Sequence, residues 1–144
     1  MYIIYNFLVL CVCCLFVLPY FLYRCICEAG FTTRMRQSLG GLRDEEIASV
    51  AQKDCIWIHG ASVGEIVATS PLVKEIRKAY PDSPILVSAV TVGGYNMAKQ
   101  IIQEADAIIY FPLDMPFVSE SFVKRIQPRI CLLYTSDAAD DRIS

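Results

Sequence analysis

From Cys55 onward, four short apolar runs alternate with three longer stretches of helical pattern, and this alternation limits the fold more than anything else in the chain. The runs cover residues 55–59, 85–90, 107–111 and 129–133, and each has the length of a buried strand. Between them, residues 65–80 place Ile66, Val73, Ile76 and Tyr80 at helical spacing. Pro71 falls inside this stretch and is expected to kink it or force a restart. Pro81-Asp82-Ser83-Pro84 then breaks the chain. Gly93-Gly94 turns into a second helix over 95–104. A third, over 117–127, is expected to be capped by Asp114 or Ser119. A βαβαβαβ series with short connections implies a parallel sheet, helices on both faces and right-handed crossovers.

Upstream of this series the composition changes. Residues 1–23 contain one strongly polar side chain, Asn6, and no charge. As a single helix they would be roughly 35 Å long, enough to cross a hydrocarbon core. A cleaved signal peptide is the alternative. Against it, no basic residue precedes the run, the run is longer than a signal core, and no small-x-small site follows. Arg24, Arg34, Arg36 and Arg43 all lie after the run. That one-sided charge predicts a single-pass membrane anchor, with the rest of the chain in the cytoplasm and Tyr20 and Tyr23 at the interface. Residues 24–54 then form a juxtamembrane segment. Within it, 33–39 make a basic amphipathic turn with Arg34 and Arg36 near headgroups, ended by Gly40-Gly41. Asp44-Glu45-Glu46 is expected to be a solvated helix start.

The seven cysteines are read as small hydrophobes. A cytosolic location disfavours disulfides, and Cys25-Ile26-Cys27 lacks the spacing of a zinc site. No metal is implied. The net charge of −2 arises from Asp137, Asp140 and Asp141 against Arg142. With no basic stripe and no aromatic-basic interleaving, nothing points to nucleic acid, and none is expected as a partner.

The junction Ile56-Trp57-Ile58-His59-Gly60-Ala61-Ser62-Val63-Gly64-Glu65 carries the functional signal. A strand running into a small-residue loop and a helix gathers backbone N–H groups at a positive dipole end. Gly60-Ala61-Ser62-Val63-Gly64 matches the G-x-S-x-G elbow of α/β-hydrolases, with Ser62 as nucleophile. Such a serine needs a histidine later in the chain, whereas the sole histidine, His59, precedes it. A dinucleotide site would need G-x-G-x-x-G, and Gly60 and Gly64 have the wrong spacing. Trp57 is most simply core and His59 most simply hydrogen-bonded structure. For Glu65 two readings stay open: a carboxylate favoured by the helix dipole, or a ligand-site residue at the carboxyl edge of a parallel sheet.

Taken together, the motifs resemble those of one family. His59 to Glu65 resembles the H-x-x-S-V-G-E signature of the Kdo (3-deoxy-D-manno-octulosonic acid) transferases of lipid A glycosylation. Ser88 to Tyr95 is similar to their second loop, and Tyr110 to Pro116 to their P-x-D-x-P segment. Gln127-Pro128-Arg129 and Arg34 to Gly40 fit in order and spacing. Gly93 stands where that family usually has threonine. Tyr134-Thr135-Ser136 stands where it has E-T-E, so residues 134–144 are expected to be a tail foreign to the family. The resemblance implies the N-terminal, acceptor-side, Rossmann-like half of a GT-B glycosyltransferase, with that domain over 55–133. It implies an inverting transfer of Kdo from CMP-Kdo to a lipid A precursor, with the donor held by a C-terminal domain beyond this stretch. It implies no cofactor, and a fragment inactive alone. Glu65 would be the general base, and Ser62, Val63, Gly64, Ser88, Thr91 and Gly94 would bind the acceptor.

Overall fold

The computed structural model describes residues 2–135. Of the expected foreign tail, Tyr134 and Thr135 fall within that range and residues 136–144 lie outside it. The chain divides into two compact units, one ending at Thr33 and the other beginning at Arg34.

The first unit contains α1 (Tyr2–Val12), a π-helical stretch (Cys13–Val17) and α2 (Leu18–Cys27), consecutive in sequence. Pro19 gives the physical reason for the change of pitch. It has no N–H to return to the Leu15 carbonyl, and the ladder widens in the turn before it. The single unbroken span expected over 1–23 is therefore not seen, and no described helix is long and apolar enough to cross a membrane. Tyr5, Leu15, Phe16, Tyr20 and Tyr23 are exposed. Arg24 pairs with Glu28 and lies 5.3 Å over the Phe31 ring, which Phe21 meets edge-on at 5.5 Å.

After α3 (Phe31–Ser38), the second unit runs α4 (Asp44–Ile47), β1 (Ile56–Gly60), α5 (Val63–Ala79), β2 (Ile85–Ala89), α6 (Val92–Ile101), β3 (Ala107–Tyr110), α7 (Pro116–Ile126) and β4 (Ile130–Tyr134). The four strands are parallel, in the order β3-β2-β1-β4. Strand alternation sorts the core into two layers. Ile56, Ile58 and Val87 pack against Ile66 and Val73 of α5 and Ala98 of α6. Trp57, Leu86 and Ile109 pack on the other face against Ile47 of α4 and Phe122 and Ile126 of α7. This is the expected α/β sheet with helices on both faces. It is consistent with the N-terminal half of a GT-B enzyme.

Several local expectations are corrected. Pro71 does not force a restart, and α5 runs through it for 17 residues. Only one N–H is lost, and Pro71 is on the exposed face, where water can bond the Val67 carbonyl. Gly93 and Gly94 are not a turn before α6 but part of its first turn, after the cap Thr91. Neither Asp114 nor Ser119 caps α7. Its cap is Met115, with Pro116 supplying the first helical φ. Tyr134 belongs to β4, in register with Gly60.

Arg34 and Arg36, expected near lipid headgroups within 33–39, lie in a segment that packs with the sheet. Gln37 Oε1 accepts from Tyr110 N–H at 2.8 Å, and Ser38 Oγ donates to the Phe111 carbonyl at 2.9 Å. Arg34 Nε donates to the Val90 carbonyl at 2.8 Å. These polar side chains satisfy backbone groups at the ends of β2 and β3 that would otherwise be orphaned. The opposite edge is bare by comparison: Ile130 and Leu133 of β4 are 48 % and 64 % exposed.

Candidate functional site

The strand order reverses at β1, with β2 on one side and β4 on the other. In such sheets ligands collect outside the carboxyl ends of the strands at the reversal. The loop that leaves β1 there is Ala61-Ser62, and it opens directly into α5. Ser62 is the helix cap, with extended backbone (φ −113°, ψ 169°), and its Oγ accepts from Glu65 N–H at 3.3 Å. Glu65 answers in the other direction. Its Oε2 accepts from Ala61 N–H at 2.6 Å and from Ser62 N–H at 3.2 Å. One carboxylate oxygen is thus pinned by the loop. Oε1 has no hydrogen-bond partner among the described residues and is not enclosed. No ion pair joins Glu65 to a described residue.

The sequence pattern for this arrangement was available. Ser62-Val63-Gly64-Glu65 is a capping box, serine followed three residues later by glutamate. It explains how Glu65 is held, and it leaves Oε1 for other work.

The second expected loop lies against the first. Thr91 caps α6, its Oγ1 accepting from Gly94 N–H at 3.0 Å. A Cβ on Gly94 would lie 3.6 Å from the Ser62 carbonyl carbon, and one on Gly93 would lie 3.2 Å from the Val63 side chain. Ser62, Val63, Gly64, Thr91 and Gly94 therefore gather at one edge. A Cβ on Gly64 would meet nothing within 4 Å, so the first turn of α5 faces open space. The Val63 and Gly64 N–H groups, at the first two helical positions, have no intrahelical acceptor and can serve a ligand oxygen.

Ser88 does not join them. It is fully buried in β2, and its Oγ accepts from Trp57 Nε1 at 2.8 Å and lies 3.0 Å from His59 Nδ1. A hydroxyl enclosed this way supports the site from behind rather than touching a ligand. His59 stands at the end of β1, half-buried, its ring 4.0 Å from that of Phe111. Burial pushes its pKa down, against upward pulls from the Ser88 backbone carbonyl and the Glu65 charge.

The hydrolase reading loses its geometry here. The elbow serine needs a strained turn, whereas Ser62 has ordinary extended φ and ψ and serves as a cap. The sole histidine bonds to Ser88, not to Ser62. A cleft of about 340 Å³ between Ile56, Ile76, Tyr80, Arg129 and Ile130 opens at the amino-terminal edge of the sheet, away from Glu65.

With this geometry in hand, the comparison with known proteins is direct. Residues 33–138 match the family model described as 3-deoxy-D-manno-octulosonic-acid transferase (kdotransferase). The chain belongs to this family. Over 90 residues it is 33% identical to the 3-deoxy-D-manno-octulosonic acid transferase of Haemophilus influenzae, covering 62% of this chain and 21% of that protein. Similarity to the enzyme of the same name from Chlamydophila psittaci is 28% identity over 124 residues, 83% of this chain and 27% of the relative. The Chlamydia trachomatis enzyme is 29% identical over 83 residues, covering 57% of this chain and 19% of the relative. The chain therefore spans roughly a fifth to a quarter of the length of these relatives.

Proposed function

We propose that this chain is the acceptor-side part of an inverting glycosyltransferase that moves Kdo from CMP-Kdo to a lipid A precursor in lipopolysaccharide biosynthesis. The observation that carries the reading is Glu65. Its carboxylate sits at the reversal point of the sheet, one oxygen held by two loop N–H groups and the other open. In the proposed step an acceptor hydroxyl oxygen attacks the anomeric carbon of Kdo. The new C–O bond forms on one face as the bond to the CMP phosphate breaks on the other, CMP leaves, and Glu65 Oε1 takes the hydroxyl proton. The N–H groups of Val63 and Gly64 orient acceptor oxygens, with Ser62, Thr91 and Gly94 shaping the walls. CMP-Kdo binds to a domain outside this stretch, so these residues alone turn nothing over. No step calls on a metal or cofactor.

The first unit fits an enzyme whose acceptor is a lipid. Its exposed apolar side chains embed residues 2–23 in the inner membrane, and Arg24, Arg34, Arg36 and Arg43 after them favour a cytoplasmic sheet domain. Retention in the membrane pellet after alkaline carbonate extraction supports this, and release into the supernatant refutes it.

The test of the activity uses a transferase of the relatives' full length that carries these residues. Mass spectrometry should show one or more Kdo units added to a lipid A precursor when CMP-Kdo is supplied. Absence of transfer, together with ester hydrolysis that Ser62→Ala abolishes, would return the hydrolase reading.

A further inference from the structure

The mechanism leaves one functional group at this edge unused, the imidazole of His59. Trp57 Nε1 can only donate, and its bond to Ser88 Oγ fills a lone pair of that hydroxyl. Ser88 is fully buried, so its own hydrogen needs an acceptor close by. His59 Nδ1, 3.0 Å away, is that acceptor. A ring nitrogen that accepts carries no hydrogen, which puts the hydrogen of the neutral imidazole on Nε2. The competing arrangement has Nδ1–H donating to the Ser88 carbonyl at 3.2 Å. It strands the buried Ser88 hydrogen, which is the costlier outcome. Phe111, packed against the ring, fixes its plane. Nε2 has no hydrogen-bond partner among the described residues and is not enclosed.

Building on the transferase reading, we propose that Trp57, Ser88 and His59 form a relay that locks His59 as an Nε2–H donor for an oxygen of the sugar ligand bound at Glu65. Ser88 thereby acts on the ligand one step removed, through the ring it orients. Two groups of opposite character then stand at the reversal point. Glu65 Oε1 accepts a proton, and His59 Nε2–H holds an oxygen without giving its proton up.

The chain has a single histidine, so a long-range ¹H–¹⁵N spectrum of the labelled 144-residue chain in detergent micelles reads its two ring nitrogens without ambiguity. The expected spectrum shows Nδ1 unprotonated and Nε2 protonated. In Ser88→Ala the relay is cut while the carbonyl at position 88 remains, so the ring should switch to the Nδ1–H form. A ligand-free wild-type spectrum with Nδ1 protonated, or a variant whose tautomer does not change, overturns the relay whatever the protein's activity. Adding lipid A precursor should then move the Nε2 signal along with the Gly64 amide. A moved Gly64 amide with an unmoved Nε2 overturns the ligand role of His59. If neither moves, that role falls together with the acceptor-site reading, and the ligand-free spectrum shows separately whether the relay itself stands.

Discussion

Glu46 and Glu65 occupy equivalent places, the third residue after the cap of a helix, and each bends back to the backbone of its own cap. Glu46 Oε2 accepts from Arg43 N–H at 2.8 Å, as Glu65 Oε2 does from Ser62 N–H. Their surroundings differ. Glu46 is gripped by the Arg36 guanidinium through two hydrogen bonds. Burial would push its carboxyl up, but those hydrogen bonds, the Arg43 N–H and the Arg36 charge outweigh it and hold the pKa at about 2. Glu65 has no cation partner among the described residues and keeps one oxygen open. The same capping device thus serves structure where an arginine answers the charge. Where the charge stands unanswered, at the carboxyl edge of the sheet, the device pins one carboxylate oxygen and leaves the other open.

The sharpest way to break this comparison is to neutralise each glutamate in turn. Glu65→Gln keeps the size and a pinning oxygen but removes the base. In the full-length transferase, turnover should fall by about 10²–10⁴, equivalent to roughly 3–5 kcal/mol of barrier, while the melting temperature barely moves. Near-normal sugar transfer by this variant would end the assignment of the base.

Glu46→Gln should do the reverse. It leaves Arg36 without its counter-charge at a half-buried position and should cost on the order of 2 kcal/mol of stability, with transfer per folded molecule unchanged. The same interaction predicts an acid limb. The folded-state pKa of Glu46 lies below its unfolded value of 4.5, so its contribution is complete above about pH 4.5 and disappears as the pH falls toward 2. Denaturant titrations across that window should show wild type losing more stability than Glu46→Gln. Parallel slopes would mean the ion pair contributes nothing.

The sequence disclosed these two regions unequally. The parallel sheet was legible because each strand is a short apolar run between clear breakers, and burial on both faces leaves little room for another arrangement. Glu65 was legible as a residue at a strand-loop-helix junction. What stayed hidden depended on contacts distant in sequence. Nothing in Arg34, Gln37 or Ser38 announces that they will bond to Val90, Tyr110 and Phe111, 56 to 73 residues away. A basic segment after an apolar stretch was therefore assigned to lipid. Ser88 was misplaced for a related reason. Its loop belongs to the site, but strand alternation turns its hydroxyl inward to Trp57 and His59. Pro71 brings no restart of α5, because the cost of a helical proline depends on whether water can reach the orphaned carbonyl.

The glycines at the two loops extend the comparison to smaller effects. A Cβ at Gly94 would press on Thr91 Oγ1 at 3.0 Å and Ala89 Cβ at 3.4 Å, whereas one at Gly64 would enter open space. Gly94→Ala should cost about 1–2 kcal/mol as the second loop shifts. Gly64→Ala should leave stability unchanged or raise it by up to ~1 kcal/mol, since a helical alanine is favoured over glycine. If the open space belongs to the acceptor, Gly64→Ala should still raise KM several-fold. An unchanged KM would place the acceptor elsewhere.

Ser62→Ala separates cap from nucleophile. The hydroxyl accepts one N–H bond, from Glu65, at 3.3 Å on an exposed helix start. Its loss should cost about 1 kcal/mol, the usual worth of a serine cap. The backbone N–H groups of positions 61 and 62 survive the substitution, and they are what hold Glu65 Oε2. The Glu65 carboxylate therefore stays in place, and sugar transfer should drop only a few-fold, chiefly from a looser first turn. A serine nucleophile allows no such tolerance, because its removal eliminates the covalent step. Thermal melts and transfer rates measured on the same variant distinguish the two. A slightly lower melt with transfer retained fits a cap beside a carboxylate base, and an unchanged melt with all activity gone would sink that account.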